Sequence, residues 1–264
     1  MYLVLRTPPP GVTTMQDLRL EHLMPAYVNV ITQLGVKLEF GNDFGTLDQI
    51  CKTIPEKHGV GPAFDQQEIS PRPIDGVWMI GRRGTEIVHT QAIKKLDLAR
   101  TTLERHLAHH SADFRIGGLD IDVPNSTWNL THAAREISGT ITYHGELWLK
   151  GGPDGIRGGC LSTLLTRLML MIAFQKWSPD YFIGIQAAGT SCRGLATREG
   201  YMRTEQRSIF WKRRDGLDPI EGWLVWMNRD EAYHNLSTTA WHIYDMLEPA
   251  DKRAIHERSI PQVA

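Results

Sequence analysis

Residues 138–162 read SGTITYHGELWLKGGPDGIRGGCLS, and the order of textures inside this stretch decides the fold. Ser138 to Leu149 is rich in β-branched and aromatic residues and reads as a strand, with Gly145 marking an irregularity where a bulge would sit. Gly151-Gly152-Pro153-Asp154-Gly155 must turn the chain. Arg157-Gly158-Gly159-Cys160 then opens a helix running to about Trp177. Leu161, Leu164, Leu165 and Leu168 keep helical spacing, while Met169 to Phe174 is apolar on every side, the pattern of a buried helix packed on a sheet. A strand, a glycine-rich turn and a helix start gather backbone amides in one concave patch with the positive end of the helix dipole behind them, which suits a phosphate or pyrophosphate. Side chains at Gly158 and Gly159 would hold phosphates off the amides, and Arg157 adds a charge-assisted contact. The plainer alternative is that these glycines only turn the chain.

Upstream, Pro8, Pro9 and Pro10 predict an extended start, and the apolar spacing from Thr14 to Leu34 predicts an amphipathic helix interrupted near Pro25 and stopped by Gly35. A short helix is expected around Leu47 to Thr53, followed by a long surface loop through Pro55, Gly59, Gly61, Pro62, Pro71 and Pro73. Val77 to Ile80 and Glu86 to His89, joined by Arg82-Arg83-Gly84-Thr85, read as a hairpin. Asp97 to His110 is helical by period, and Asp120 to Trp128 reads as a loop that carries ligand contacts. Downstream, Tyr181 to Ile185 is a short apolar strand, and Thr190 to Arg198 is a helix with Gly200 in the place of a left-handed cap. Thr204 to Trp211 and Gly222 to Met227 alternate like strands, and Asp230 to Leu247 is a closing helix.

The chain has 264 residues, an apolar fraction of 41%, and 29 Lys plus Arg against 30 Asp plus Glu. That near balance argues against nucleic-acid wrapping or docking on an anionic membrane, so a charged ligand must be met locally. Cys51, Cys160 and Cys192 are too scattered for a disulfide framework and form no CxxC pair, which points to a reducing compartment. The apolar start of MYLVLRTPPP runs into prolines and is expected to be neither signal peptide nor anchor, and no apolar run reaches the roughly 18 residues of a membrane span. The expectation is a soluble cytoplasmic protein.

The order of hairpin, helix, long strand, RGGCLSTLL helix, short strand, helix, LATREGY and final strand pair resembles the GNAT N-acyltransferase superfamily over residues 76–230. The resemblance implies that Arg157, Gly158, Gly159, Cys160, Leu161 and Ser162 hold the pyrophosphate of acetyl-CoA or another acyl-CoA, and that Leu195 to Tyr201 line the pantetheine arm. It also implies that the strand splays from Gly145 onward, so that Leu147, Trp148 and Leu149 offer free amides to the pantetheine and the thioester oxygen. Cys160 and Ser162 stand where the family has glycine or alanine. Ala196 occupies the place at which many members carry a tyrosine that protonates the departing thiolate. Ser191, Cys192 or Tyr201 could substitute, or the thiolate could leave without a dedicated acid. Of the autoinducer-synthase branch of this fold, no diagnostic residue is found.

Acyl transfer to an amine needs a deprotonated amine about 3 Å from the carbonyl and a donor for the oxyanion. His144 and Glu146, two apart on one strand, are expected on one face, where either could relay the amine's proton, His144 being suited to neutral pH. The bland account is a solvated sheet face. Glu86 on the hairpin is a second candidate base. His106, His109 and His110 suggest a metal only superficially, because no carboxylate sits at ligand spacing; an exposed helical face and no metal are expected. Cys192 could attack an acyl group, though a small buried cysteine is the simpler account. Trp148, Trp211, Trp223 and Trp226 are expected to pack the sheet's halves or to floor an acceptor pocket.

The sequence therefore predicts an α/β (α+β) protein. A mixed, mostly antiparallel central sheet is flanked by helices, GNAT-like, behind a helical N-terminal extension. Residues 1–75 would shape the acceptor side, 76–230 would form the acyl-CoA-binding core, and 231–264 the C-terminal helix and tail. The expected activity is N-acyl transfer, acetyl first among the acyl groups, to a small-molecule or protein amine by direct attack in a ternary complex. Neither nucleic acid nor membrane is expected as a partner, and a homodimer is compatible with the reading. The rival from another class is a catalytically silent GNAT-like binding protein for a small molecule or a protein partner. A nucleotide-binding module is weaker, since the RGG loop lacks the Lys-Ser/Thr of a nucleoside-triphosphate loop.

Overall fold

The computed structural model describes residues 15–66, 74–129, 132–157 and 160–246. Its centre is the hairpin of β2 (Gly76–Arg83) and β3 (Glu86–Leu98), turned at Gly84, whose φ of 58° lies in the left-handed region that glycine tolerates. β3 is buried continuously from Val88 to Lys94, as expected of a strand covered on both faces. It pairs antiparallel with β5 (Gly139–Leu149). β5 in turn pairs in parallel with β6 (Tyr181–Ala187), and the connection between them is helix α5 (Cys160–Trp177).

β8 (Ile220–Asn228), β7 (Arg203–Trp211) and the two-residue β4 (Thr127–Trp128) continue the sheet antiparallel beyond β6. At the other edge β1 (Lys37–Gly41) joins β2. The order across the eight strands is β1-β2-β3-β5-β6-β8-β7-β4, mixed but mostly antiparallel. This is the fold class expected from the sequence.

Each face of the sheet carries its own core. On one face α5 lies on β3 and β5 and is itself covered by α1 (Met15–Gln33) and α8 (Arg229–Met246), which explains why it is apolar all round. Tyr27, Ile31, Met79, Ile93, Leu165, Met169 and Phe182 meet there. On the other face α2 (Phe44–Lys52), the 3₁₀ turn Pro62–Phe64, α3 (Leu103–His109) and α4 (His132–Glu136) bury Phe44, Leu47, Phe64, Leu107, Tyr143 and Ile183. Phe64 stacks between Phe44 and Tyr143 at ring-centroid distances of 5.7 and 5.6 Å.

Several sequence expectations are corrected. The helix expected from Asp97 starts at Leu103; Asp97 and Leu98 still pair with β5, and Thr102 caps the helix by accepting from the Arg105 amide. β1 is an edge strand with a half-exposed pattern too short to stand out by alternation. Within the supposed surface loop after Pro55, Pro62, Ala63 and Phe64 are buried. The helix expected over Thr190 to Arg198 is divided at Gly194, φ 78°, into α6 (Ala188–Ser191) and α7 (Leu195–Glu199). Gly200, φ 95°, ends α7 as the left-handed cap. The expected starting segment before Met15 and the tail beyond Met246 lie outside the described residues.

Candidate active site

β5 and β6 run side by side only from Ile141 to His144 and from Tyr181 to Gly184. Beyond that point β5 stays with β3 while β6 stays with β8, so the two strands part. From Gly145 to Leu149 the edge of β5 that faced β6 has no strand partner among the described residues. A row of unpaired backbone groups lining a gap is a template for an extended ligand. The gap is a cleft of about 350 Å³ between Gly145–Leu147 on one wall and Gly184–Ala187 on the other. Thr190, Leu195 and Glu199 close it at one side, and Glu56 to Gly59 with Gly61 and Gly117 at the other.

Leu147, Thr190 and Leu195 also border a second cavity of about 360 Å³ that continues the cleft outward. Its rim carries Arg157, Arg193 and Arg198, and the first turn of α5 reaches it through Ser162. The three guanidiniums bond to backbone carbonyls, of Leu149, Gly189 and Arg193 respectively, and none forms an ion pair with a carboxylate among the described residues. Three positive charges around one hollow, none ion-paired with a carboxylate among the described residues, make a phosphate-sized electropositive mouth.

At the apex, where the strands part, His144 is buried and its ring is held at both nitrogens. Gln91 Nε2 donates to Leu165 O at 2.8 Å, which turns Gln91 Oε1 toward His144 Nε2 at 3.1 Å. Nε2 therefore carries the hydrogen, and Nδ1 accepts from the Tyr201 hydroxyl at 3.4 Å. Burial lowers His144 to about 4 and raises Tyr201 well above its ordinary value. His144 is thus a neutral imidazole near pH 7, which corrects the expectation that it titrates there. A Cβ built on Gly184 would meet Val225 Cγ2 at 3.2 Å and lie 3.4 Å from both His144 O and Tyr201 Oη, so the chain packs closely beside the apex.

Glu146 is placed differently from the alternation expected. It sits in a bulge with φ 57°, beside the shift of register between Thr90 and Ala92. The bulge turns its carboxylate away from His144's face: Oε1 accepts from the Gly61 amide at 2.7 Å and Oε2 pairs with Lys57 at 2.8 Å. The Thr90 hydroxyl donates to Glu146 O at 2.9 Å. Positive φ at a glutamate costs about 1–3 kcal/mol and persists only where surrounding bonds over-determine it, as they do here.

Of the other expected residues, Leu147, Trp148, Leu149, Arg157 and Ser162 line the outer cavity. Leu161 packs into the core and Cys160 is exposed. Gly158 and Gly159 lie outside the described residues. Cys192 is exposed rather than buried, because it falls in the turn after α6. Glu86 pairs with Lys150 beside a separate hollow and does not reach the cleft. His106 is half-buried against His110 and Phe114, at ring-centroid distances of 4.6 and 5.8 Å. Among the described residues no cluster of His, Cys, Asp or Glu is placed to hold a metal. Trp211 is buried; Trp226 stacks under Arg203, 4.5 Å from its guanidinium, on the sheet's far half.

Sequence reasoning named Glu199 only as part of the Leu195–Tyr201 run and did not single out Gln91. Glu199, inside LATREGY, is 4% exposed and borders the cleft, and burial raises its carboxyl to about 8. Gln91 carried no pattern signal, since its role comes only from strand pairing.

The sheet is mixed and divided, with the helix after β5 at the mouth and a cleft where β5 leaves β6. No protein-family model matches the chain, and no curated protein matches it in sequence. Among solved structures it is similar to Arabidopsis thaliana NAA60 in complex with acetyl-CoA, with 15% identity, a TM-score of 0.41, and 73% of this chain and 98% of that one covered. It is similar also to FeeM, an N-acyl amino acid synthase from uncultured soil microbes, with 9% identity, a TM-score of 0.36, and 84% and 89% covered. A third is the AHL synthase LasI, with 11% identity, a TM-score of 0.40, and 73% and 89% covered. All three are remote in both measures. Among the described residues no helix is long and apolar enough to cross a membrane.

Proposed function

We propose that the protein is an acyl-CoA-dependent N-acyltransferase, acetyl being the first acyl group to test, that acts by direct attack of an amine in a ternary complex. The observation that carries this reading is the parting of β5 and β6 after His144 and Gly184, which leaves β5 backbone unpaired along a cleft ending in Arg157, Arg193 and Arg198. In this reading the extended pantetheine arm takes β5's free amides, and the diphosphate takes the arginines and the first turn of α5. The thioester then lies at the apex, beside the Tyr201 hydroxyl.

Tyr201 gives its proton to the thiolate as the C–S bond breaks, its hydroxyl turning from His144 Nδ1 to the sulfur to do so. The family's place for this acid is Ala196, which is buried in the apolar core and cannot serve. The acceptor enters from the side of Glu56 to Gly61, the part of the N-terminal segment that borders the cleft. Glu146 and Lys57 fix that wall rather than react, because each neutralises the other.

The test follows free thiol and thermal midpoint with acetyl-CoA present. Expected are CoA-dependent stabilisation and thiol release that depends on added amine, reduced in Tyr201→Phe. If CoA leaves the midpoint unmoved and no thiol appears, the reading fails.

A further inference from the structure

The acyl-transfer step needs a base for the incoming amine, and neither His144 nor Glu146 is free to be one: the imidazole is neutral with both nitrogens engaged, and the carboxylate is held by Lys57 and Gly61. Glu56, the remaining carboxylate on the acceptor wall, is exposed. Glu199 is the one acidic group that is both buried and on the cleft wall among the described residues. It stands across from the acceptor wall and two residues before Tyr201 in the chain. Its orientation is built: Gln186 Nε2 donates to Glu199 Oε2, and Ser191 Oγ donates to Gln186 Oε1 at 2.6 Å, so β6 and α6 together aim the carboxyl. Gly200, left-handed at φ 95°, ends α7 directly behind it.

We infer that Glu199 is the base that takes the proton of the acceptor, an amine arriving as its ammonium ion, and this inference rests on the acyl-transfer reading above. The step balances as follows. The Glu199 carboxylate takes one proton from the ammonium nitrogen, and the freed lone pair forms the C–N bond to the thioester carbonyl carbon while the carbonyl pair moves onto oxygen. The nitrogen loses its second proton to solvent. Return of the oxygen pair breaks the C–S bond, the sulfur takes the Tyr201 proton, and Tyr201 regains one from solvent. Glu199 then releases its proton, so an ammonium ion and a thioester give an amide, a free thiol and one proton.

Burial raises the Glu199 carboxyl to about 8, opposed by the Gln186 hydrogen bond and the charge of Arg198. Tyr201 also couples to it, Ser191 reaches it only through Gln186, and Arg167 of α5 lies beside Gly200. A base of this strength matches amine deprotonation far better than an ordinary glutamate would. It is the carboxylate form that works, so turnover should rise with pH through about 8.

The experiment compares wild type with Glu199→Gln, which keeps size and a hydrogen-bond acceptor for Gln186. Acetyl-CoA is supplied with phenethylamine, 1,4-diaminobutane or glycinamide from pH 6 to 9, free thiol is followed, and the CoA-induced shift in thermal midpoint is recorded for both proteins. Expected are a wild-type rate that climbs with pH through about 8, a loss of roughly a hundredfold or more in E199Q with that climb abolished, and an equal CoA shift in both. An E199Q protein as fast as wild type across the range overturns the assignment. Loss of the CoA shift in E199Q alone makes Glu199 part of the cofactor cleft and overturns it too. A wild type that is stabilised by CoA but acylates none of the three amines removes Glu199 as an amine base. Absence of a CoA shift in wild type removes the acyl-CoA reading itself, and this inference with it.

Discussion

The buried titratable side chains set two opposed pH dependences. Burial lowers His89 to about 3 and His144 and His106 to about 4. In the unfolded chain each binds a proton near the ordinary histidine value of about 6.5, so the unfolded state takes up more protons below it. The stability due to these histidines is full above that value and is lost as pH falls from about 6.5 toward 4, His106 contributing less because it is only half-buried. Glu199 works the other way. Its folded value is raised from 4.5 to about 8, so the native state holds a proton there that the unfolded state releases, and stability declines as pH rises from 4.5 to 8. Thermal midpoints across this range should fall at the acid end in both wild type and E199Q, and fall toward pH 8 in wild type only; parallel curves would contradict a buried neutral Glu199. At Glu146 the strained backbone and the ion pair are one device. Glu146→Gln leaves half-buried Lys57 without its counter-charge, and a loss of up to about 3 kcal/mol in urea unfolding is expected. A loss near zero would show that Lys57 finds water instead.

At the scale of elements, the distinction between what was legible and what was not follows from range. α5 was legible because being sandwiched between sheet and helices demands apolar residues all round, and that demand is written locally. The β2–β3 hairpin was legible through its glycine turn, and Gly145 through its break in an otherwise branched strand. β1 was not, because an edge strand half open to solvent needs little pattern, and the start of α3 was not, because Asp97 and Leu98 are claimed by pairing with Thr140 and Gly139, far along the chain. The same cause hid the true side of Glu146: a bulge reverses alternation, and sequence marked its neighbourhood but not the direction of the turn. Gly145 itself is tied to the opposite core, since a Cβ there would meet Phe64 at 2.8 Å. Gly145→Val should therefore push Phe64 out of its stack with Phe44 and Tyr143 and destabilise by about 1–3 kcal/mol in denaturant unfolding. An unchanged midpoint would mean that Phe64 moves freely.

For the molecule as a whole, residues 15–66 are woven into the fold. α1 supplies Tyr27, Val30 and Ile31 to the core over α5, β1 extends the sheet, and Lys57 and Gly61 grip the bulge of β5. The cleft therefore joins three parts of the chain: the N-terminal strap, the parted strands, and the α6–α7 segment with its arginines. Sequence alone singled out Arg157, which lines the outer cavity. It did not single out Arg193, and it named Arg198 and Glu199 only within the Leu195–Tyr201 run; the two arginines reach the outer cavity and Glu199 the cleft because Gly194 and Gly200 turn the chain twice within seven residues. The reading as an acyltransferase stands on that convergence. Calorimetric titration of CoA into wild type and into Arg157→Ala, Arg193→Ala and Arg198→Ala tests it most directly. Saturable one-site binding in wild type, weakened in each variant by up to about tenfold as expected for loss of a charge-assisted phosphate contact, is the expected result. No binding by wild type, or equal binding by all four proteins, would contradict it.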